Sequence, residues 1–404
     1  MILITHVVLP KNVQEDPELK LFFTEEWTKV PPSCLSGPWT TEPAPQPVEK
    51  DPGEQICKYT ASDVLKLAEK LKSPNEAQAE PQQICMVQER EVARKMEQER
   101  RRREAFNVFV CLVRAQESGL RFHYVAAGER GKPLMLFLHG FPEFWFSWRY
   151  QLREFKSEFR VVAVDMRGYG ESDVPLATES YNFDHLVTDV KDIVEYLGYN
   201  RCCLVGHDWG GTIAWLFAIH YPEIVTKLIV LNCPHPSVFT DYAVRHPSQL
   251  LKSSHFFFFQ LPRLPELMLS INDFKALKDL FTSRSTGFGR KGRWLTAEDL
   301  EAYLYALSQP GALTGALNYY RNVFSSFPLS HRHVRSPVLL LWGERDAFME
   351  QEMAEACRLY IRNHFRLNII SGASHWLQQD QPDIVNTLIW TFLKEGEGRK
   401  CYRN

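Results

Sequence analysis

The sequence predicts an α/β fold, a mostly parallel sheet flanked by helices with a helical insertion over one end. Three observations carry that expectation. From Phe106 onward, short apolar runs alternate with helical patterns, the arrangement from which parallel sheets are built. One of those runs turns into a helix through Gly206-His207-Asp208-Trp209-Gly210-Gly211, where the glycines remove bulk from a sharp bend. A stretch of about a hundred residues then interrupts the alternation with aromatics and helical patterns but no clear strand.

The predicted strands are Leu134 to Leu138, Val161 to Val164, Cys202 to Val205, Leu228 to Leu231, Val338 to Trp342 and Leu367 to Ile370. Val, Ile and Leu occupy both alternating faces of these runs, as expected of strands covered by helices on both sides. Phe183 to Leu197, Thr212 to Tyr221, Met349 to Tyr360 and Pro382 to Leu393 carry helical spacing between them. Residues 105–232 and 336–398 therefore form the expected core, and residues 233–335 the insertion. The insertion holds Tyr242, the run Phe256 to Phe259, Trp294, Tyr303, Tyr305, Tyr319 and Tyr320.

The first 104 residues read differently. Seven prolines lie between Pro31 and Pro52, too many interruptions for a helix or a ladder. Ser62 to Leu71 has the spacing of one amphipathic helix, and Glu89 to Glu104 packs twelve charges into sixteen residues for a net of only +2. That alternation favours a solvated face over a targeting or headgroup-binding patch at Arg100 to Arg103. A flexible extension is expected here, with no function legible in it.

Composition narrows the function classes. Of the 404 residues, 45% are hydrophobic and 24% charged, which excludes wholesale disorder and fibrous repeats. A net charge of −2 leaves no global basic field for nucleic acid or an anionic membrane. Nine cysteines without a Cys-x-x-Cys pair suggest reduced thiols facing the cytosol. No apolar run approaches the ~20 residues of a membrane span, and Met1-Ile2-Leu3-Ile4 lacks the basic start of a signal peptide. A soluble chain is expected.

The chemistry concentrates around Asp208. A strand that becomes a helix over so few residues strains the central residue and exposes its side chain, the logic of the Gly-x-Ser-x-Gly nucleophile elbow with Asp in the serine's place. A helix N-terminus beside it favours the ionised, nucleophilic carboxylate. The bland alternative is a helix-capping aspartate after a glycine-rich turn. Downstream, Asp346 follows the strand ending at Trp342, and His375 follows the next strand. Nucleophile, acid and histidine in that order, each on a loop after a strand, is the order of the α/β-hydrolase fold. Upstream, His139-Gly140-Phe141-Pro142 follows the strand Leu134 to Leu138. The backbone N–H groups of Phe141 and Trp209 are then expected to form an oxyanion hole, each donor worth ~3–4 kcal/mol in the transition state. Glu344 competes with Asp346 as the orienting acid, and motif position favours Asp346. His207 reads as a packed neighbour of the elbow. His331-Arg332-His333 offers no third ligand nearby, so no metal is expected.

From Gly119 to about Leu393 the chain resembles the epoxide hydrolases of the α/β-hydrolase superfamily. Gly119-Leu120-Arg121-Phe122-His123-Tyr124, His139-Gly140-Phe141-Pro142-Glu143, Asp165-Met166-Arg167-Gly168-Tyr169-Gly170 and Asp380-Gln381-Pro382-Asp383 carry the resemblance, together with the elbow. It implies that Asp208 attacks an epoxide carbon, that His375 activates water against the resulting ester, and that Asp346 orients His375. It implies a lid over residues 233–335 whose motif Asn318-Tyr319-Tyr320-Arg321-Asn322 places Tyr320 as proton donor, with Tyr319 one residue away. The expected partner is a small lipophilic epoxide, with no cofactor and no metal. The resemblance also implies a cytoplasmic location or the cytosol-facing surface of the endoplasmic reticulum, although no membrane anchor is legible.

One position departs from the pattern. Many relatives carry a second lid tyrosine five residues before a glutamine, and this chain has His255 ahead of Gln260. Two other readings stand beside the leading one. A haloalkane dehalogenase uses the same Asp, His and acid, but commonly has Asn where Phe141 follows the His-Gly pair. A weakly active lipid-binding protein on a hydrolase fold would be marked by loss of a catalytic member, and only His255 points that way.

Overall fold

The computed structural model describes residues 109–288, 295–324 and 332–395. The expected extension over residues 1–104, Trp294 and His331 lie outside the described residues. Eight strands form one sheet: β1 (Phe109–Arg114), β2 (Arg121–Ala127), β3 (Leu134–Leu138), β4 (Arg160–Val164), β5 (Cys202–His207), β6 (Val225–Leu231), β7 (Val338–Gly343) and β8 (Phe365–Ile370). Their spatial order is β1-β2-β4-β3-β5-β6-β7-β8. β1 and β2 run antiparallel to their neighbours, and all pairs from β4 to β8 are parallel.

Six strands fall where the apolar runs predict them. Their residues alternate between two cores: Leu134, Leu136 and Leu138 of β3 face one, Met135 and Phe137 the other. The helices Phe183–Tyr196 and Trp209–His220 cover the first face, and Arg149–Phe155 and Pro382–Lys394 the second. The antiparallel pair β1 and β2 has no counterpart in the predicted strands. β1 contains the apolar run Phe109-Val110-Cys111-Leu112-Val113, of which Phe109, Val110 and Leu112 are exposed in the sheet. β2 buries His123, whose Nδ1 lies 2.7 Å from Asp165 Oδ2, a polar pairing that breaks the apolar pattern.

Two helix boundaries differ from expectation. The helix after the elbow starts at Trp209 rather than Thr212, which makes Asp208 its first flanking residue. The helix expected over Met349 to Tyr360 is confined to Glu352–Ala356 followed by a tighter turn, Cys357–Tyr360. The N–H groups of Phe348 and Met349 donate to Asp346 Oδ1, and that of Glu350 to Gln249 Oε1.

Between β6 and β7 the chain leaves the sheet. The described helices there are Pro236–Arg245, Pro247–Lys252, Ser254–Phe258, Leu264–Thr282, Ala297–Leu307 and Ala312–Arg321. Leu264–Thr282 is two helices joined at Ile271 to Phe274, where Asn272, Asp273 and Phe274 take positive φ. Among the described residues no helix is long and apolar enough to cross a membrane.

Candidate active site

The site assembles at the ends of β3, β5, β7 and β8. β5 delivers Asp208 into the bend at φ +51, ψ −121, a conformation that L residues adopt only under constraint. The bend closes because Gly210 lies against the Leu138 carbonyl, where any side chain would overlap backbone. Gly140 likewise leaves the room in which the Asp208 side chain sits. The Asp208 carboxylate makes no capping bond to its own helix, so the capping reading does not hold. It turns instead into the space above the sheet.

Asp208 Oδ1 accepts a bond from the Phe141 N–H at 2.8 Å. Oδ2 lies 3.7 Å from His375 Nε2. The other ring nitrogen, His375 Nδ1, lies 2.9 Å from Asp346 Oδ2. Asp346 Oδ1 takes the N–H groups of Phe348 at 2.8 Å and Met349 at 3.0 Å, which fixes that carboxylate's rotation. Glu344 sits apart, accepting from Ser371 Oγ and the Gly372 N–H. The acid brought to His375 is therefore Asp346.

Electrostatics follow from burial and neighbours. Burial alone would raise the Asp208 carboxyl, but the bond and charge of His375, with the Phe141 N–H, hold it below its ordinary value. Burial would lower the His375 ring, yet Asp346 and Asp208 outweigh it and lift the ring to about 10. The two acidic side chains flanking the imidazole therefore favour its protonated form.

The insertion supplies the opposite wall. Tyr320 is buried, and its ring meets those of Trp209 at 4.9 Å, Phe259 at 4.8 Å, Phe256 at 5.1 Å and Phe141 at 5.4 Å. Burial, reinforced by the Asp208 charge, pushes its hydroxyl well above 10, while Trp209 pulls the other way. The neighbouring Tyr319 is differently engaged: its hydroxyl donates to the Arg167 carbonyl at 2.8 Å, and its ring packs on Tyr169 and Tyr181. His255 stands beside Tyr320 with ring centroids 5.7 Å apart and also meets Phe348, which lies 5.0 Å from His375. Burial lowers the His255 ring to about 4 against the pull of Asp208, leaving it neutral near pH 7.

Behind the site lies a buried polar cluster that sequence reasoning missed. His207 Nδ1 is 2.7 Å from Glu143 Oε2, and its Nε2 is 2.8 Å from the His375 carbonyl oxygen. Gln378 and Gln379 donate to Glu143 Oε1. Burial would raise Glu143, but His207 holds it below its ordinary range. The signal was present as a glutamate directly after His139-Gly140-Phe141-Pro142, but nothing local identifies a partner 64 residues away. Among the described residues no three His, Cys, Asp or Glu side chains converge to hold a metal ion.

Comparisons with known proteins agree on one family. The alpha/beta hydrolase fold family matches residues 133–382. The human protein called epoxide hydrolase 4 is 70% identical over 290 residues, covering 72% of this chain and 80% of that protein. Epoxide hydrolase 3 of Xenopus tropicalis is 53% identical over 283 residues, covering 70% of this chain and 77% of its own length. Among solved structures, a mutant epoxide hydrolase from Bacillus megaterium complexed with its product, (R)-3-[1]naphthyloxy-propane-1,2-diol, is 35% identical with a TM-score of 0.65, covering 70% of this chain and 100% of that one.

Proposed function

The chain belongs to the epoxide hydrolases of the alpha/beta hydrolase fold, and on that premise we propose that it opens lipophilic epoxides to vicinal diols through a covalent ester on Asp208. The observation that carries this reading is the Asp208 carboxylate held between the Phe141 N–H and His375 Nε2, with Asp346 behind the imidazole.

The two carboxylate oxygens have different tasks. Oδ1 is engaged by Phe141, so Oδ2 is the atom that attacks the epoxide carbon. As that bond forms, the ring C–O bond breaks and its electron pair moves to oxygen. Tyr320 gives the alkoxide its proton, because an alkoxide is a stronger base than a phenolate even when burial has raised the phenol.

Alkylation then changes His375. The ester carries no charge, so one of the two carboxylates that lift the imidazole is gone. The ring releases its proton more easily, that proton passes through solvent to restore the Tyr320 phenol, and the neutral ring becomes the base that the second step needs. It takes a proton from water as the water oxygen attacks the Asp208 carbonyl carbon. The oxyanion forms at Oδ1, where the Phe141 N–H already points, and the Trp209 N–H is the second donor that the elbow is expected to supply. Collapse restores the carboxylate and releases the diol. Asp346 keeps the Nδ1 proton in place and stabilises the imidazolium. The aromatic wall of Phe141, Trp209, Phe256 and Phe259 suits an apolar substrate body. His255, neutral and in contact with Tyr320, leaves the proton transfer to the single phenol.

Repeated turnover in water enriched in heavy oxygen tests the reading. Label should enter the Asp208 side chain, seen by mass spectrometry of the peptide that contains it. Label found solely in the diol would exclude the ester.

A further inference from the structure

Asn232 lies just beyond β6, between the elbow and the insertion, and is fully buried. Its backbone takes a positive φ of 47°, and its own N–H donates to the Leu341 carbonyl at 2.9 Å. Its side chain uses every bonding group it has. Oδ1 accepts from the Gly343 N–H at 2.6 Å, and Nδ2 donates to the carbonyls of Ser374 at 3.0 Å and His375 at 2.8 Å. One amide thus joins the two loops that carry Asp346 and His375.

Residue choice here is narrow. A positive φ is comfortable for Gly, Asn and Asp. Glycine has no side chain to bridge the loops, and an aspartate brings an acceptor for Gly343 but no donor for the two carbonyls. Only asparagine meets both demands.

We propose that Asn232 is a positioning residue for ester hydrolysis, touching no substrate but setting where His375 stands relative to Asp346 and Asp208. The His375 carbonyl takes one donor from Asn232 and one from His207, each at 2.8 Å, so its backbone is clamped from two elements. The acid is tied through Gly343, whose carbonyl accepts the Asp346 N–H at 3.1 Å. Release of the amide lets the two loops drift, and the Nδ1 to Asp346 contact loosens with them. Alkylation by Asp208 does not use His375 as a base and is spared. This rests on the proposed ester mechanism.

The test separates the two steps. Full-length wild type, Asn232→Asp, Asn232→Gly and His375→Gln are mixed with whichever of styrene oxide and epoxidised methyl oleate the wild type turns over faster. Ester formation and decay are followed by intact mass after rapid quench. The decay constant is first order and does not depend on what fraction of a variant is folded. Asn232→Asp keeps the Gly343 bond, whereas Asn232→Gly removes all three bonds without burying a charge. Ester decay should slow about ten- to hundredfold in both, with formation within about threefold of wild type and the pH limb of decay displaced. Decay within threefold of wild type, equal slowing of both steps, or failure of both variants to fold would overturn the assignment. A His375→Gln protein that accumulates no ester would instead refute the ester mechanism itself.

Discussion

Asp346→Asn is the sharpest test of the site. In the folded chain Asp346 Oδ1 accepts two backbone N–H groups, from Phe348 at 2.8 Å and Met349 at 3.0 Å. An asparagine must keep its carbonyl oxygen there, because an NH2 group cannot accept either bond. Its NH2 is then forced into the place of Oδ2, 2.9 Å from His375 Nδ1. A donor now faces Nδ1, so the neutral ring must carry its proton on Nε2, the nitrogen that should take a proton from water. The ring is held in the wrong tautomer by two hydrogen bonds and not by distance. The same inversion at a Ser-His-Asp triad costs about 10⁴ in kcat, and about 10³–10⁴ is expected here for ester hydrolysis. Alkylation should stay within about threefold, since Asp208 needs no base. Rapid-quench mass spectrometry would show the alkylated protein accumulating while diol release falls. Turnover within tenfold of wild type would refute the reasoning, because the tautomer would then not matter.

Three further outcomes follow from the same geometry. Tyr320→Phe should slow ester formation by about ten- to a thousandfold and leave its decay unchanged, measured in single turnover; an unaltered formation rate would remove the phenol from the chemistry. Gly140→Ala places a methyl against the Asp208 side chain and should cut ester formation by at least about a hundredfold, and a wild-type rate would show that the nucleophile has room to spare. His375 rises from 6.5 to about 10 on folding, so the stability it contributes is complete below about pH 6.5 and is lost as pH climbs towards 10. Urea unfolding of wild type should therefore weaken more steeply across that window than unfolding of His375→Gln, and parallel curves would contradict the raised ring.

Much of the site was legible because tight geometry leaves marks in a sequence. The bend at Asp208 requires small neighbours, and the strands that end before Phe141 and Asp346 are unbroken apolar runs. What stayed hidden is polar and non-local. Asn232 reaches His375 across 143 residues, and nothing around either position announces the pair. Tyr319 and Tyr320 are indistinguishable as text; the Arg167 carbonyl, 152 residues from Tyr319, separates them by occupying one hydroxyl. β2 escaped because it buries a histidine, whereas the apolar run Phe109 to Val113 of β1 is legible in the sequence although it is absent from the predicted strands. The helix expected from Met349 begins at Glu352, after a turn whose N–H groups bond to Asp346 and Gln249, side chains that local spacing does not reveal as partners.

The fastening of Tyr319 has an implication for how such an enzyme diversifies. Its helix, Ala312–Arg321, is pinned to the loop after β4 by that hydroxyl, by Asn318 on the Leu176 carbonyl and by Asn322 on the Thr178 carbonyl. Tyr320 on the same helix takes its placement from that loop together with the insertion, through Gln260 on its own carbonyl and Arg321 on the Phe259 carbonyl. Changes to the side chains of Phe256 or Phe259 can reshape the chamber around Tyr320 while the bonds from its helix to the loop after β4 stay in place. Selectivity can wander here without the reaction being relearned.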